Sequence, residues 1–148
     1  MSKLTVADLL NAGRLERVPA DRSAALSRLP KTDTHLATAA ALIGIDNDMA
    51  YTALYDAARK AIAAHMLANG LRAPARTGAH EVVGIYADEA IPDPTGSVTE
   101  FQKMRRRRNK SEYDNIALGR QDVEADLHHA SNIVAAVKAD LGDRRSST

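Results

Sequence analysis

The segment between Asp46 and Gly70 constrains the fold most, because its apolar residues recur at the period of an α-helix on two adjacent faces. The first face carries Tyr51, Tyr55, Ala58, Ile62, His65 and Met66. The second face carries Ala50, Leu54, Ala57 and Ala61. A helix with two apolar faces has to be covered on two sides. The sequence therefore predicts a long helix at the centre of a helical bundle.

The remaining apolar residues also recur at helical spacing, and no stretch alternates between apolar and polar residues as a strand does. We therefore expect further helices after Thr5, over residues 33–43, from Thr77, from Ser97 and from Arg120. Thr5 and Ser97 each stand three residues before an acidic residue, a spacing that predicts a capping box. Pro30 is expected to interrupt the helix-forming segment that precedes residue 32.

Composition indicates the same fold class. Aromatic residues make up 3% of the chain and Trp is absent, so the core is built mainly from Ala and Leu, which lets helices approach closely. We predict an all-α protein, an antiparallel up-and-down bundle of four to five helices. We expect an N-terminal helical extension (1–31), the bundle itself (32–142) and a flexible tail (143–148). A core of small side chains also favours a second subunit, so a homodimer is expected.

Length, charge and residue usage exclude several classes of protein. A chain of 148 residues suits one domain with a modest core. The formal net charge of +1 means that any basic surface is local. Zero cysteines exclude disulfides, thiolate zinc sites and a cysteine nucleophile. No apolar run approaches the roughly 18 residues that span a bilayer, and no signal peptide opens the chain. A soluble cytoplasmic protein without membrane contact is therefore expected.

The chemistry of the sequence is concentrated in one segment, FQKMRRRRNKSEYDN over residues 101–115. In a helix, Arg105 and Arg108 share a face with apolar residues, whereas Arg106 and Arg107 point to water. A guanidinium on an inward face needs a carboxylate, a phosphate or a cavity as its partner, because it does not deprotonate. Alternatively, these basic residues complement the dipole at a helix C-terminus and remain solvated.

Other chemistries find less support. His65 lies on an apolar helix face, where a hydrogen-bonded core histidine is more common than a ligand or a base. His128 and His129 are adjacent and point about 100° apart, so they cannot form a ligand pair on one face. Asp126 and His129 have the spacing of a ligand pair, but a metal site in a bundle needs matching carboxylates on other helices. Glycine-rich phosphate loops and nucleophile elbows are absent from the sequence, and we expect neither a metal nor a cofactor.

Several segments together resemble a HEPN domain of the bacterial kind. They are YDAARKAIAAHML over residues 55–67, Gly70-Leu-Arg, Gly78-Ala-His80 and MRRRRNKSEYD over residues 104–114. The resemblance extends over about residues 33–141. It implies an antiparallel helical bundle that pairs as a dimer. It also implies a metal-independent ribonuclease, of the kind that serves as the toxin of a toxin-antitoxin pair whose antitoxin is often a minimal nucleotidyltransferase.

The signature of that family is an arginine, a polar residue that is often asparagine, a few more residues and a histidine. Arg108 and Asn109 match it, and Tyr113 stands where the family has histidine. By this resemblance Arg108 stabilises the charge on a phosphorane, Asn109 orients Arg108 or the phosphate, and Tyr113 is an acid or a positioning donor. An ordinary tyrosine, with a pKa of about 10, is a poor base near neutrality although it can donate a proton. His80, which matches a histidine of similar sequences, could supply the missing imidazole, or it could merely bond the backbone at a helix start.

The other basic residues of the segment are candidates for contacts with RNA phosphates, which are independent of sequence and sensitive to salt. They are Arg105, Arg106, Arg107 and Lys110. Two non-catalytic alternatives stay open. In the first, the arginines hold a nucleotide, RNA or an acidic partner, and Tyr113 accepts a nucleotidyl group from a nucleotidyltransferase antitoxin. In the second, the chain is a plain dimerisation module.

Overall fold

The structure, a computed structural model, describes the backbone of residues 3–146 and the side chains of residues 3–142. Its elements, in chain order, are α1 (Val6–Asn11), β1 (Glu16–Arg17), α2 (Arg22–Leu42), α3 (Asn47–Ala68), β2 (Leu71–Arg72), α4 (Ala79–Ala90), a 3₁₀ turn (Ser97–Glu100), α5 (Phe101–Tyr113) and α6 (Arg120–Ser146). The predicted all-α helical bundle is confirmed. No helix within residues 3–146 combines the length and hydrophobicity that a bilayer crossing requires.

Helix α3 lies at the centre of the bundle, as its two apolar faces predict. It packs against α2, α4, α5 and α6. Every residue of both predicted faces is buried. The helix starts after Asp46, whose carboxylate accepts a hydrogen bond from the Met49 N–H at 3.1 Å. Because α3 contacts all the longer helices, its side chains set the positions of the others.

A two-stranded ribbon fastens the N-terminal segment to the end of α3, and the sequence did not predict it. β1 and β2 are antiparallel, with Glu16 opposite Arg72. The Arg72 Nε donates to the Glu16 carboxylate at 2.7 Å. Gly70 permits the approach, because its φ is +73° and a Cβ there would lie 2.9 Å from the Val18 carbonyl oxygen. Strands of two residues are too short to show the alternation by which a strand is recognised.

Helix α2 is continuous, so the expected interruption at Pro30 is wrong. The proline lacks a backbone donor and its ring disfavours the preceding turn. Packing compensates: α2 lies against α3 and α6, and Ala25 and Ala39, on either side of the proline, are completely buried. The expected boundary between residues 31 and 32 therefore falls inside one helix.

The start of α5 also differs from the prediction, because a 3₁₀ turn precedes it and Ser97 is not its cap. The Ser97 hydroxyl lies 2.9 Å from His129 Nδ1 and accepts a hydrogen bond from Asn132 Nδ2 at 3.0 Å. Asp93 caps the turn instead, because its carboxylate accepts a hydrogen bond from a backbone N–H of the turn at 2.8 Å. The predicted capping box is wrong because Ser97 is buried against α6 and bonds that helix.

The other predicted helix ends agree more closely. In the capping box of α1, the Thr5 hydroxyl accepts from the Asp8 N–H at 3.1 Å and the Asp8 carboxylate accepts from the Thr5 N–H at 2.9 Å. Helix α4 starts after Gly78, which has a φ of +88°, and not after Thr77. The helical backbone of α6 continues into the expected tail (143–148), of which residues 147 and 148 lie outside the described residues.

Replacing Pro30 with Ala should stabilise the protein, because the backbone of α2 regains a donor and the clash of the ring is removed. We expect the free energy of unfolding to rise by about 1 to 3 kcal/mol, measured by urea denaturation followed by circular dichroism. Pro94→Ala, in an exposed loop, is the control and should not raise stability, since losing a loop proline only frees the unfolded chain. A less stable Pro30→Ala protein would mean that the path of α2 requires the proline.

Candidate functional site

A groove of about 510 Å³ lies between the start of α4 and the last turns of α5. Five of the residues that the sequence singled out line it: His80, Arg105, Arg108, Asn109 and Tyr113. Helix α5 is anchored beside α4 by Phe101 and Met104, which are completely buried. Arg105 and Arg108, each four residues after one of these buried side chains, lie on the same side of α5 and line the groove.

Arg108 directs its guanidinium inward, over the ring of Tyr55 and 5.2 Å from the ring centroid. Only 20% of its side chain is exposed, and its Nη2 atom lies 3.3 Å from the Glu112 carboxylate. Its Nε atom is buried and has no hydrogen-bond partner among the described residues. A guanidinium can donate five hydrogen bonds, so Arg108 is far from saturated. An anion that enters the groove would complete its pairing.

His80 contacts the same tyrosine from α4, with its Nδ1 atom 3.0 Å from the Tyr55 hydroxyl oxygen. Burial raises the pKa of Tyr55 to about 12, so the hydroxyl keeps its proton near neutrality. Burial, followed by the positive charges of Arg59 and Arg108, lowers the pKa of His80 below its usual value of 6.5, against an opposing contribution from Asp56. The imidazole is therefore neutral at pH 7 and able to accept a proton.

Arg105 is held at the groove by hydrogen bonds that run back to α4. Its Nε donates to Gln102 Oε1 at 2.9 Å, and Gln102 Nε2 donates to the Glu81 carbonyl oxygen at 2.9 Å. Gly84 provides the space for this bridge, because a Cβ there would overlap the Gln102 amide. The small residue lets α5 approach α4 and fixes the direction of Arg105.

Arg107 is solvated only in part, with 38% of its side chain exposed, so the prediction that it points to water is incomplete. Its guanidinium pairs with the carboxylate of Asp126 on α6. Asp126 is 4% exposed and also accepts a hydrogen bond from the Tyr51 hydroxyl at 2.7 Å. A buried carboxylate needs such partners, since an unpaired buried charge is costly. The period of α5 cannot reveal a carboxylate on another helix, so the sequence missed this contact.

The other predicted residues stay closer to solvent. Arg106 and Lys110 are exposed, in keeping with contacts to a large anionic ligand. Asn109 is half-buried and lines the groove beside Arg108. Tyr113, the last residue of α5, is 77% exposed. The groove thus passes from an enclosed end at Arg108 to an open end at Tyr113.

The potential metal ligands of this chain are histidine, aspartate and glutamate side chains. Among those that the structure describes, no group of three or more could hold a metal ion. Asp126 and His129, which have ligand spacing in the sequence, bond Arg107 and Ser97 instead.

His65 is a buried core histidine, as predicted. Its ring nitrogens lie 2.6 Å from the Tyr86 hydroxyl and 2.6 Å from the Asp140 carboxylate. These bonds join α3 to α4 and α6, so the residue stabilises the bundle.

Sequence reasoning missed two residues of α3 that contact or influence the residues of the groove. Tyr55 was assigned to the core, which is correct, but its ring lies under Arg108 and its hydroxyl meets His80. Arg59 lies one turn later, 3.5 Å from the Asp56 carboxylate, with a buried Nε that has no partner within the described side chains. Nothing in the spacing of α3 sets these residues apart from their neighbours.

Positive charge exceeds negative charge around the groove. Glu81 lines it, but this carboxylate is paired with Arg14 at 2.7 Å. Arg105 and Arg108 have only partial compensation, and a neutral imidazole lies beside them. Such a groove can bind an anion and exchange a proton with it.

The imidazole of His80 is expected to titrate below 6.5 in NMR spectra. Since its pKa is lower in the folded than in the unfolded chain, the unfolded chain binds the proton more tightly, so this group reduces stability as pH falls below about 6.5. Arg59→Gln removes one of the positive charges that lower the pKa of His80, so it should raise that pKa. Arg106→Gln, on the exposed side of α5, should leave it unchanged. A His80 pKa at or above 6.5 in the unchanged protein would contradict this environment.

Asp126→Ala should destabilise the protein, because the Tyr51 hydroxyl keeps only its 3.3 Å bond to the Met104 carbonyl oxygen and the Arg107 guanidinium loses its partner. We expect a loss of about 1 to 3 kcal/mol in the free energy of unfolding, measured by urea denaturation. Glu124→Ala removes an exposed carboxylate of the same helix and should cost less than about 1 kcal/mol. Equal effects of the two substitutions would show that the buried cluster contributes nothing special.

Comparison with known proteins gives one match. A family model described as HEPN domain matches residues 33–140, which include every residue of α3, α4 and α5. The match covers well over half of the chain, and the residues before 33 lie outside it. No curated protein and no solved structure matches the chain.

Proposed function

The chain belongs to the HEPN domain family, and on this premise we propose that it is a metal-independent ribonuclease, the toxin of a toxin-antitoxin pair. The observation that supports this is the assembly of His80, Arg105, Arg108, Asn109 and Tyr113 around one groove. The motif on α5 lacks a histidine. In this proposal His80 of α4, which lines the same groove, supplies the imidazole instead. A guanidinium and an imidazole together meet the needs of phosphodiester cleavage.

In the proposed reaction, the neutral His80 takes the proton of the ribose 2′-hydroxyl. The 2′-oxygen attacks the phosphorus, and Arg108 stabilises the negative charge of the phosphorane. Tyr113 gives its proton to the departing 5′-oxygen, and Asn109 orients the phosphate. The products are a 2′,3′-cyclic phosphate and a 5′-hydroxyl. Exchange with water returns a proton to Tyr113 and removes one from His80.

Binding of the rest of the RNA falls to the exposed cations of α5. Arg106 and Lys110 are free to contact phosphates along the strand, a contribution that weakens with salt. Arg107 contributes less, because its guanidinium is already paired with Asp126.

A homodimer is part of the proposal. Ile45, Met49 and Ile116 are 80%, 53% and 52% exposed. Ser111 of α5 lies 3.1 Å from the Asp48 carboxylate, so the start of α3 and the end of α5 are neighbours. An apolar patch at this end of the bundle is suited to a second copy.

Digestion of labelled single-stranded RNA in the presence of EDTA tests the activity. We expect cleavage that leaves a 2′,3′-cyclic phosphate. Arg108→Ala should lower the rate constant by about 10² to 10³, and His80→Ala should lower it comparably. Arg106→Ala is the matched control on the same helix, and it should weaken binding slightly without abolishing cleavage. Cleavage that survives Arg108→Ala, or that requires a divalent ion, would refute the proposal.

The exposure of Tyr113 favours a second candidate function. A hydroxyl on a side chain that is 77% exposed is accessible to another protein. A nucleotidyltransferase antitoxin could transfer a nucleotidyl group from a nucleoside triphosphate to this oxygen, releasing pyrophosphate. The added charge and bulk would then block a groove that binds RNA or a nucleotide without cleaving it. In the assay with labelled single-stranded RNA, binding of the RNA to the protein without cleavage would favour this second function.

A further inference from the structure

A second cavity, of about 490 Å³, lies beside the groove. It is lined by the segment after β1, the first two turns of α2, the second half of α3, β2 and the start of α4. Its walls are mainly apolar, with Val18, Met66, Leu67, Leu71 and Val83 among them. Its volume falls within the roughly 300 to 1,000 Å³ of small-molecule sites. The cavity is therefore large enough for an organic molecule.

The charged residues of this cavity are predominantly positive. Arg28, Arg59 and Arg72 line it, and Asp21 is the one carboxylate among the lining residues that the structure describes. The Asp21 carboxylate caps α2 by accepting the Ala24 N–H at 2.9 Å. Arg72 is already paired with a glutamate of β1. Arg28 and Arg59 therefore remain for a ligand.

Arg59 is the better placed of the two for a buried ion pair. Its Nη2 atom lies 3.5 Å from the Asp56 carboxylate, a long and weak contact. Its Nε atom is buried and has no partner in the described part of the chain. Only 27% of its side chain is exposed, so a carboxylate beside it would be partly shielded from water.

We propose that this cavity binds a small organic anion with an apolar body, of the medium-chain carboxylate class. The apolar body lies against Met66, Leu67 and Val83, and the carboxylate pairs with Arg59 and Arg28. Part of the wall, from Val18 to Arg28, lies outside the family match at 33–140. The site therefore combines residues of the N-terminal segment with residues of the family match, and it does not depend on whether the groove cleaves RNA.

The cavity adjoins the groove, because Ala75, Ala79 and His80 line both. Arg59 lies near enough to His80 to affect its charge. A carboxylate paired with Arg59 would offset part of the positive charge that lowers the pKa of His80. Binding of the ligand would therefore raise the pKa of this imidazole.

Octanoate is the probe for the experiment, with protein labelled at the methionine methyl groups for NMR. The Met66 methyl signal should shift saturably with octanoate, whereas Met49, which is exposed outside this cavity, should not move. Acetate carries the carboxylate of octanoate without its apolar chain, and octanol carries the apolar chain without the charge. Each should bind at least about tenfold more weakly than octanoate. An unshifted Met66 signal, or equal affinity for octanol, would overturn the proposal.

Two variants locate the site. Ala63→Leu fills the cavity from α3 and should weaken octanoate binding at least about tenfold. Ala135→Leu places the same side chain on an exposed position of α6 and should have no effect. Arg59→Gln should reduce the affinity for octanoate toward that for octanol.

If a folded Ala63→Leu protein binds octanoate as well as the unchanged chain does, octanoate binds elsewhere and the proposal fails. If that variant does not fold, the Met66 shift and Arg59→Gln decide.

Discussion

Two tyrosine hydroxyls buried on α3 lie beside α5, the helix that carries the run of four arginines. Tyr51 and Tyr55 are one turn apart on a helix covered on two sides, and they are 1% and 0% exposed. A buried hydroxyl costs free energy unless it is hydrogen-bonded, so each needs a polar partner on a neighbouring helix. Tyr51 bonds Asp126 of α6 at 2.7 Å, and Tyr55 bonds His80 of α4 at 3.0 Å. Helix α5 packs on α3 beside both pairs. Its Arg107 therefore pairs with Asp126, and its Arg108 lies over the ring of Tyr55.

Consecutive arginines of α5 acquire different roles from this arrangement. Neighbouring residues of a helix point about 100° apart, so Arg107 and Arg108 cannot share one environment. Arg107 meets Asp126, and the two charges offset each other. Arg108 lies over the ring of Tyr55 and 3.3 Å from the Glu112 carboxylate, and these contacts compensate its charge only in part. The run of four arginines therefore contains one cation that stabilises the bundle and another that is available to a ligand, a distinction that net charge does not reveal.

The sequence predicted those features that depend on residues within a few turns of each other. The faces of α3 and the Thr5 capping box are of this kind, and both are present. Pro30, Ser97 and Arg107 were misjudged because each is governed by another helix: packing on α3, a bond to α6, and the carboxylate of Asp126. The segment that bears Arg108, Asn109 and Tyr113 was found from its composition. The contact of His80 with Tyr55 joins residues 25 positions apart, and no local pattern encodes it.

The imidazole of the groove lies among cations, and this has a consequence for the proposed chemistry. Burial and the guanidinium charges keep His80 neutral, which a general base requires, but the same lowered pKa makes it a weaker base. A bound phosphate brings negative charge beside Arg108 and offsets that field. In the proposed reaction the base would therefore strengthen when the anion is present, and its imidazolium would lie beside a phosphorane of opposite charge. A cationic groove and a neutral base are thus compatible in the complex with an anion, where the incomplete pairing of Arg108 is also satisfied.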